Sequence, residues 1–289
     1  MKRFIALAAL ALIPLRFAQP VDISAEIKAS SFAMSKDGDL KPSAIGYGGF
    51  MEVSDRLSAN LFGKLSYDAD PVYGNVLSAR AMYRTSYMEI AAGPSFGVLN
   101  SNGSSDGVPI LFQPGLGIGF SVTSPGFVVA RADTEFALPA AVQTGGQAYL
   151  QKSELSAGFF LPNVLCTLKV SQRTSAIQDG ADAKIRSTTD YGFYTTAYKK
   201  GSPFRIGLDF IYRVIDYYVV ADSPDNRKIA NLVLGGGLTF SPKAEYSLFL
   251  AGDGSLYSFS LGDPVDGLDE FMFNLRAGIN LSLPSPDAP

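Results

Sequence analysis

Chemistry in this chain is limited first by what is missing: among 289 residues there is no histidine and one cysteine, Cys166. Without an imidazole there is no Ser-His or Cys-His nucleophile and no His-ligated metal. Carboxylates, guanidiniums and amines remain, often grouped at alternate positions, as in "ARADTEF", where Arg131, Asp133 and Glu135 share a phase. Carboxylates that close could raise one another's pKa and work as an acid and base. Beside an arginine the same spacing reads as a structural charge cluster. Cys166 shares its phase with Val164, Leu168 and Val170, the setting of a small hydrophobe rather than a nucleophile. No catalytic residue, cofactor or metal is expected, and the chain does not read as an enzyme.

A second candidate is "FQPGLGIGFSV", Phe112 to Val122, with Gly115, Gly117 and Gly119 at alternate positions. A phosphate-cradling loop would stand between a buried strand and a helix. No helical pattern follows, and the spacing is that of a strand whose one face is nearly bare. Glycine inside a strand costs stability, so its repetition calls for a reason. The expectation is a low strip of wall that leaves room for water, for an infolded loop, or for a long side chain such as Arg84 or Arg131. "GYGGF" at Gly46 and "LGGGLTF" at Leu234 suggest the same device elsewhere.

The elements that must position these groups repeat every second residue. Phe204, Ile206, Leu208, Phe210, Tyr212 and Val214 alternate with Arg205, Gly207, Asp209, Ile211 and Arg213. Phe271 to Leu283 alternates likewise, and so does the stretch from Leu57. About fourteen such segments are expected, beginning near Val21, Ser43, Arg56, Asn75, Ser86, Val108, Gly126, Gln147, Asn163, Thr188, Pro203, Ile229, Lys243 and Asp269. Tight connections at Asp55-Arg56, Thr85-Ser86, Ser124 to Gly126, Pro162-Asn163, Gly201-Ser202 and Ser241-Pro242 alternate with long polar ones. The long ones include Asp70-Pro71, Ser101 to Gly107, Ser175 to Arg186 and Ser223 to Lys228. "AGDGSLYSFSLGD", Ala251 to Asp263, reads either as a protruding continuation of a strand or as an extra strand.

The chain opens Lys2-Arg3, runs apolar from Phe4 to Leu15 and turns polar at Gln19, the layout of a signal peptide over residues 1–20 with cleavage near 18–20. The mature part, 21–289, reads as one domain. No later apolar run is long enough to cross a bilayer as a helix. A soluble β-sandwich also alternates, but its turn lengths show no fixed alternation between the two ends. Aromatic residues near strand ends, such as Tyr67, Tyr83, Phe120 and Phe240, match the girdles of a membrane barrel.

The chain thus resembles bacterial outer-membrane β-barrels: all-β, up-and-down, antiparallel, and similar in architecture to the monomeric fourteen-stranded porins. "RAGINLSL" resembles the C-terminal signal read by the barrel-assembly machinery, with Arg276, Gly278, Leu281 and Leu283 at its positions. It departs from that pattern by lacking a terminal aromatic and by continuing into "PSPDAP". The resemblance implies outer-membrane lipid and that machinery as partners, periplasmic termini, and a monomer. No nucleic-acid partner is expected.

In such a barrel the face opposite the lipid lines a lumen. The expected pore-lining residues are Lys64, Arg80, Arg84, Glu89, Arg131, Asp133, Glu135, Lys152, Glu154, Lys169, Arg173, Arg205, Asp209, Arg213 and Arg276, with Gly115, Gly117 and Gly119 as lumen glycines. Lys28, Arg56, Glu26, Glu52 and Glu245 share the inward phase, and the modest basic excess of the whole set implies a weak anion preference in a diffusion channel for small hydrophilic solutes or ions. The alternatives are a FadL-type transporter of hydrophobic compounds, for which no plug segment precedes the first strand, and an adhesin or receptor with a closed lumen.

Overall fold

The computed structural model describes residues 21–31, 33–34, 40–41, 45–70, 74–99, 111–123, 128–137, 147–179, 182–218, 227–261 and 271–283. The signal-peptide region and the "PSPDAP" tail lie outside the described residues. The strands are β1 (Val21–Ser30), β2 (Ala33–Met34), β3 (Leu40–Lys41), β4 (Gly46–Arg56), β5 (Leu61–Asp70), β6 (Gly74–Arg84), β7 (Met88–Leu99) and β8 (Leu111–Thr123). They continue with β9 (Val128–Ala137), β10 (Gln147–Leu161), β11 (Val164–Asp179), β12 (Asp182–Tyr198), β13 (Phe204–Tyr218), β14 (Arg227–Lys243), β15 (Tyr246–Ser260) and β16 (Phe273–Leu283).

β1 and β4 to β16 form a closed barrel of 14 antiparallel strands, each paired with its neighbours in sequence, and β1 closes the ring on β16. β2 and β3 pair only with each other, in the connection between β1 and β4. This is the architecture of an outer-membrane barrel. Closure leaves no open edge, which is what lets a sheet stand in hydrocarbon.

The alternation decides which side chains meet lipid. Leu155, Leu168, Ile206, Phe210 and Leu250 stand more than half exposed on the outer face, an inside-out pattern for water and the right one for acyl chains. One register row, Leu155, Val170, Tyr191, Tyr212, Leu232 and Tyr257, marks the edge of this apolar band. The Tyr191 and Tyr212 rings lie 6.3 Å apart there, and Tyr257 and Phe259 5.9 Å. Beyond that row the outer face of β10 to β12 turns to Ser153, Gln172, Thr174, Ser187 and Thr189. Their side chains hydrogen-bond in a ladder, Thr174 Oγ1 to Ser187 Oγ at 3.1 Å and Gln172 Nε2 donating to Ser187 Oγ at 3.3 Å. These strands therefore rise past the lipid band. At the opposite edge the Phe204 and Phe240 rings pack 4.9 Å apart.

Several connections differ from expectation. β4 runs on through Arg56, so the turn is at residues 57–60, where Arg56 donates to the carbonyls of Ser58 and Ala59. β14 likewise runs through Pro242, and the turn falls at Ala244-Glu245. Two expected long loops are largely strand: only residues 71–73 separate β5 from β6, and only 180–181 separate β11 from β12. Polar side chains on strands that rise above the lipid band read as loop in a pattern tuned to lipid. Of "AGDGSLYSFSLGD", Ala251 to Ser260 is the continuation of β15 rather than an extra strand, with a bulge at Leu256; Gly262 and Asp263 lie outside the described residues.

Candidate functional site

The glycine strip of β8 has an occupant. Arg80, on β6, is 6% exposed and lies across β7 and β8 to reach β9, where its Nη1 donates to Asp133 Oδ2 at 2.8 Å and its Nη2 to Oδ1 at 3.3 Å. A Cβ at Gly117 would stand 2.5 Å from Arg80 Nε, and one at Gly119 would stand 2.8 Å from Asp133 Oδ2. On β7 a Cβ at Gly93 would strike the backbone of Ala79 and Arg80. The bare strip is thus a bed for one guanidinium. The residue it holds is Arg80, not Arg84 or Arg131. Arg84 pairs at 2.7 Å with Glu89 beside the Phe62 ring, and Arg131 is half exposed with its Nη2 3.8 Å from Asp133.

A second cluster crosses the lumen. Asp68, on β5, accepts from Lys28 of β1 at 2.6 Å and from Lys152 of β10 at 3.2 Å. Two residues on, Asp70 accepts from Arg173 of β11 at 2.5 Å. In the ring, β5 stands on the far side from β10 and β11, so the pairs with Lys152 and Arg173 tie opposite walls together, while Lys28 comes from two strands away. Asp70, placed in a loop by the sequence reading, is the last residue of β5 and faces inward. Such pairs are held by mutual attraction against the cost of leaving water, and removing one member strands the others.

On the β11 to β1 side of this bridge lies a cavity of about 560 Å³. Arg213 donates to both oxygens of Asp190 at 2.8 and 3.0 Å and to Asp253 at 3.1 Å, and Asn274 Nδ2 adds a bond to Asp253 at 2.9 Å. Lys169 lies 4.6 Å over the Tyr194 ring and 3.6 Å from Glu154. Lys64 pairs with Glu52 at 2.6 Å nearer the turn end of β5. Arg205 stands at the turn end of β13, outside the cavity. The side chain of Glu135 lies outside the described residues; its backbone is paired with Lys152.

Asp68, Asp70, Asp190 and Asp253 are absent from the expected lumen set. Each was legible as a continuation of a strand's inward phase. Asp68 follows Lys64 and Ser66, and Asp253 sits two residues from Ala251 in the stretch of ambiguous strand assignment. With them included, seven cations (Lys28, Arg131, Lys152, Lys169, Arg173, Arg213, Arg276) meet seven anions (Glu26, Asp68, Asp70, Glu154, Asp190, Asp209, Asp253) around the cavity. The basic excess read from sequence is not present there.

The residues of the C-terminal motif lie on β16. A Cβ at Gly278 would stand 2.4 Å from the carbonyl oxygen of Ala25 on β1 and 2.6 Å from the Phe249 ring, so this glycine admits both a close strand and an aromatic lid. Arg276 faces the cavity, while Leu281 and Leu283 pair with Ile23 and Val21 at the closing seam. Cys166 is buried on the outer face in the phase of Leu168.

No protein-family model matches the chain, and no curated protein matches it in sequence. Among solved structures it is similar to OmpT, an outer membrane protein of Vibrio cholerae, at 9% identity and a TM-score of 0.46, over 91% of this chain and 97% of that one. It is similar to a bacterial polysaccharide outer membrane secretin at 11% identity and a TM-score of 0.46, over 92% and 99% of the two chains. An outer membrane channel from Pseudomonas putida F1 gives 9% identity and a TM-score of 0.45, over 93% and 97%.

Proposed function

We propose that this protein is an outer-membrane diffusion channel for small hydrophilic solutes, exported by the segment 1–20, working as a monomer, with both termini on the periplasmic side. The observation that carries the reading is an apolar, lipid-matched exterior around a charge-lined interior cavity of about 560 Å³. A lining of ion pairs opposes the passage of hydrophobic compounds, which would have to leave lipid for a field of charges. The balance of seven cations against seven anions removes the ground for an anion preference and supports weak selectivity. The bridge from β5 to β10 and β11 narrows the path, so small conductance steps are expected rather than those of a wide pore.

Planar-bilayer recording of the refolded mature chain tests this. Discrete steps with a reversal potential near zero in a salt gradient are expected. Silence from protein that is folded, as judged by heat-modifiable gel mobility, would overturn it and favour a closed-lumen surface receptor.

A further inference from the structure

Most charges around the cavity satisfy one another. Lys28 and Lys152 share Asp68, Arg173 holds Asp70, Lys169 stands by Glu154, and Arg213 spans Asp190 and Asp253. Three lining groups have no ion pair within 4.0 Å among the described residues: the guanidinium of Arg276 and the carboxylates of Asp209 and Glu26. Lys28, directly opposite Arg276 in the β1–β16 ladder, turns to Asp68 instead.

From Arg276 toward β13 its own register row carries only small residues, whereas the adjacent row of Asp209 carries the Asp253 side chain, held by Arg213. One register row runs Gly207, Gly237, Ala251, Arg276, and the next runs Asp209, Gly235, Asp253. A Cβ at Gly207 would meet nothing nearer than backbone at 3.6 Å, in contrast to the Arg80-filled strip on β8. Strand spacing of ~4.8 Å puts Arg276 roughly 14 Å from β13 at the backbone, a gap that the arginine stem and a two- or three-carbon solute fill together. A fourth unmet group in the same cavity is Asn231, 1% exposed, whose Oδ1 has no hydrogen-bond partner among the described residues.

We propose that this recess is a subsite for small zwitterions of the α-amino acid type, with Arg276 taking the carboxylate and Asp209 the ammonium. A simple anion drawn to Arg276 meets the repulsion of Asp209 and Glu26, and a simple cation drawn to those carboxylates meets Arg276. A solute carrying both charges satisfies each end by a charge-assisted hydrogen bond. Flanking like charges thereby exclude the wrong ligands as much as the right partners attract the correct one. The inference deepens the channel reading and rests on it for the route in, but binding is measurable apart from flux.

The test is calorimetric titration of the folded full mature chain in detergent with L-alanine, with L-lactate, which lacks the ammonium, and with L-alaninamide, which lacks the carboxylate. Alanine is expected to bind at one site, at least about tenfold more tightly than either analogue. Arg276→Gln and Asp209→Asn are each expected to weaken alanine by about tenfold and to erase its advantage over one analogue, alaninamide and lactate respectively. Equal binding of all three probes, or no binding of alanine, overturns the subsite. The comparison among probes uses the unaltered chain, so a variant that fails to fold does not blunt it. Liposome swelling separates the two readings. Entry of arabinose together with failed alanine discrimination in the titration leaves the channel and removes the subsite; alanine binding without entry of any solute removes the channel and leaves the subsite.

Discussion

At the scale of the residue, the lumen wall has two kinds of bare strip, and they respond differently to substitution. Gly117 lies under the Arg80 side chain, so Gly117→Val must displace a buried guanidinium from its carboxylate. A loss of about 1–3 kcal/mol is expected, the usual cost of overpacking a filled site. A Cβ at Gly207 would make only ordinary contacts with backbone, from 3.6 Å, and Gly207→Ala should change stability by less than about 0.5 kcal/mol, as changes away from packed features do. Denaturant titration of both variants followed by heat-modifiable gel mobility checks the contrast, and similar losses in the two would contradict it. The spacing of Gly115, Gly117 and Gly119 suggested a low strip with room for water, an infolded loop or a long side chain, and left those three open. The occupant over Gly117, Arg80, was beyond the spacing to name, because it comes from a strand two ladders away. Alternation fixes a residue's face, whereas the tilt and stagger of neighbouring strands fix what lies over it.

At the scale of the element, the bridge from β5 to β10 and β11 is the feature with most leverage on a permeating solute. The double substitution Asp68→Asn and Asp70→Asn removes the carboxylates that hold Lys28, Lys152 and Arg173. The freed cations then repel one another and draw anions. Single-channel recording should show conductance about doubled and the reversal potential moved toward anion selectivity; an unchanged conductance would mean that the bridge does not set the narrowest point. Thirteen of the strand starts fall within five residues of their expected places, and β12 starts at Asp182 rather than near Thr188. That discrepancy, the missed inward role of Asp70 and the short 180–181 connection share one cause. The pattern was tuned to apolar and polar faces, and strands that leave the lipid band lose the contrast that marks them.

At the scale of the whole molecule, stability depends on where the outer face meets lipid. Leu168→Arg places a charge one outward row inside the apolar band and should cost about 1–3 kcal/mol, between the interface value and that of mid-depth. Gln172→Arg, one row above the Tyr191 edge, should cost no more than about 1 kcal/mol. Reversible folding into lipid vesicles under denaturant measures both, and equal costs would move the proposed edge of the band. Closure with an even count was foreseeable from fourteen alternating segments. The even charge balance of the cavity was within reach once Asp68, Asp70, Asp190 and Asp253 were carried along their strands' inward phase; the pairing of those charges was not, because it joins side chains that meet only after closure.

The pairing of β1 with β16 also fixes an order of events in time. Each of the other barrel ladders joins strands adjacent along the barrel's path through the chain, apart from the short ribbon set into the first connection, and can zip from its own turn. The seam joins groups 260 residues apart, as at Ser282 and Asp22, and 242 apart, as at Phe273 and Ser31. So distant a contact forms only after the rest of the sheet has brought its ends together. Until then, two unpaired edges are open to any other strand. The seam is therefore the slow, exposure-prone step of assembly, and Gly278, where a larger side chain would meet the Ala25 carbonyl, is a place to lengthen it without touching a hairpin turn.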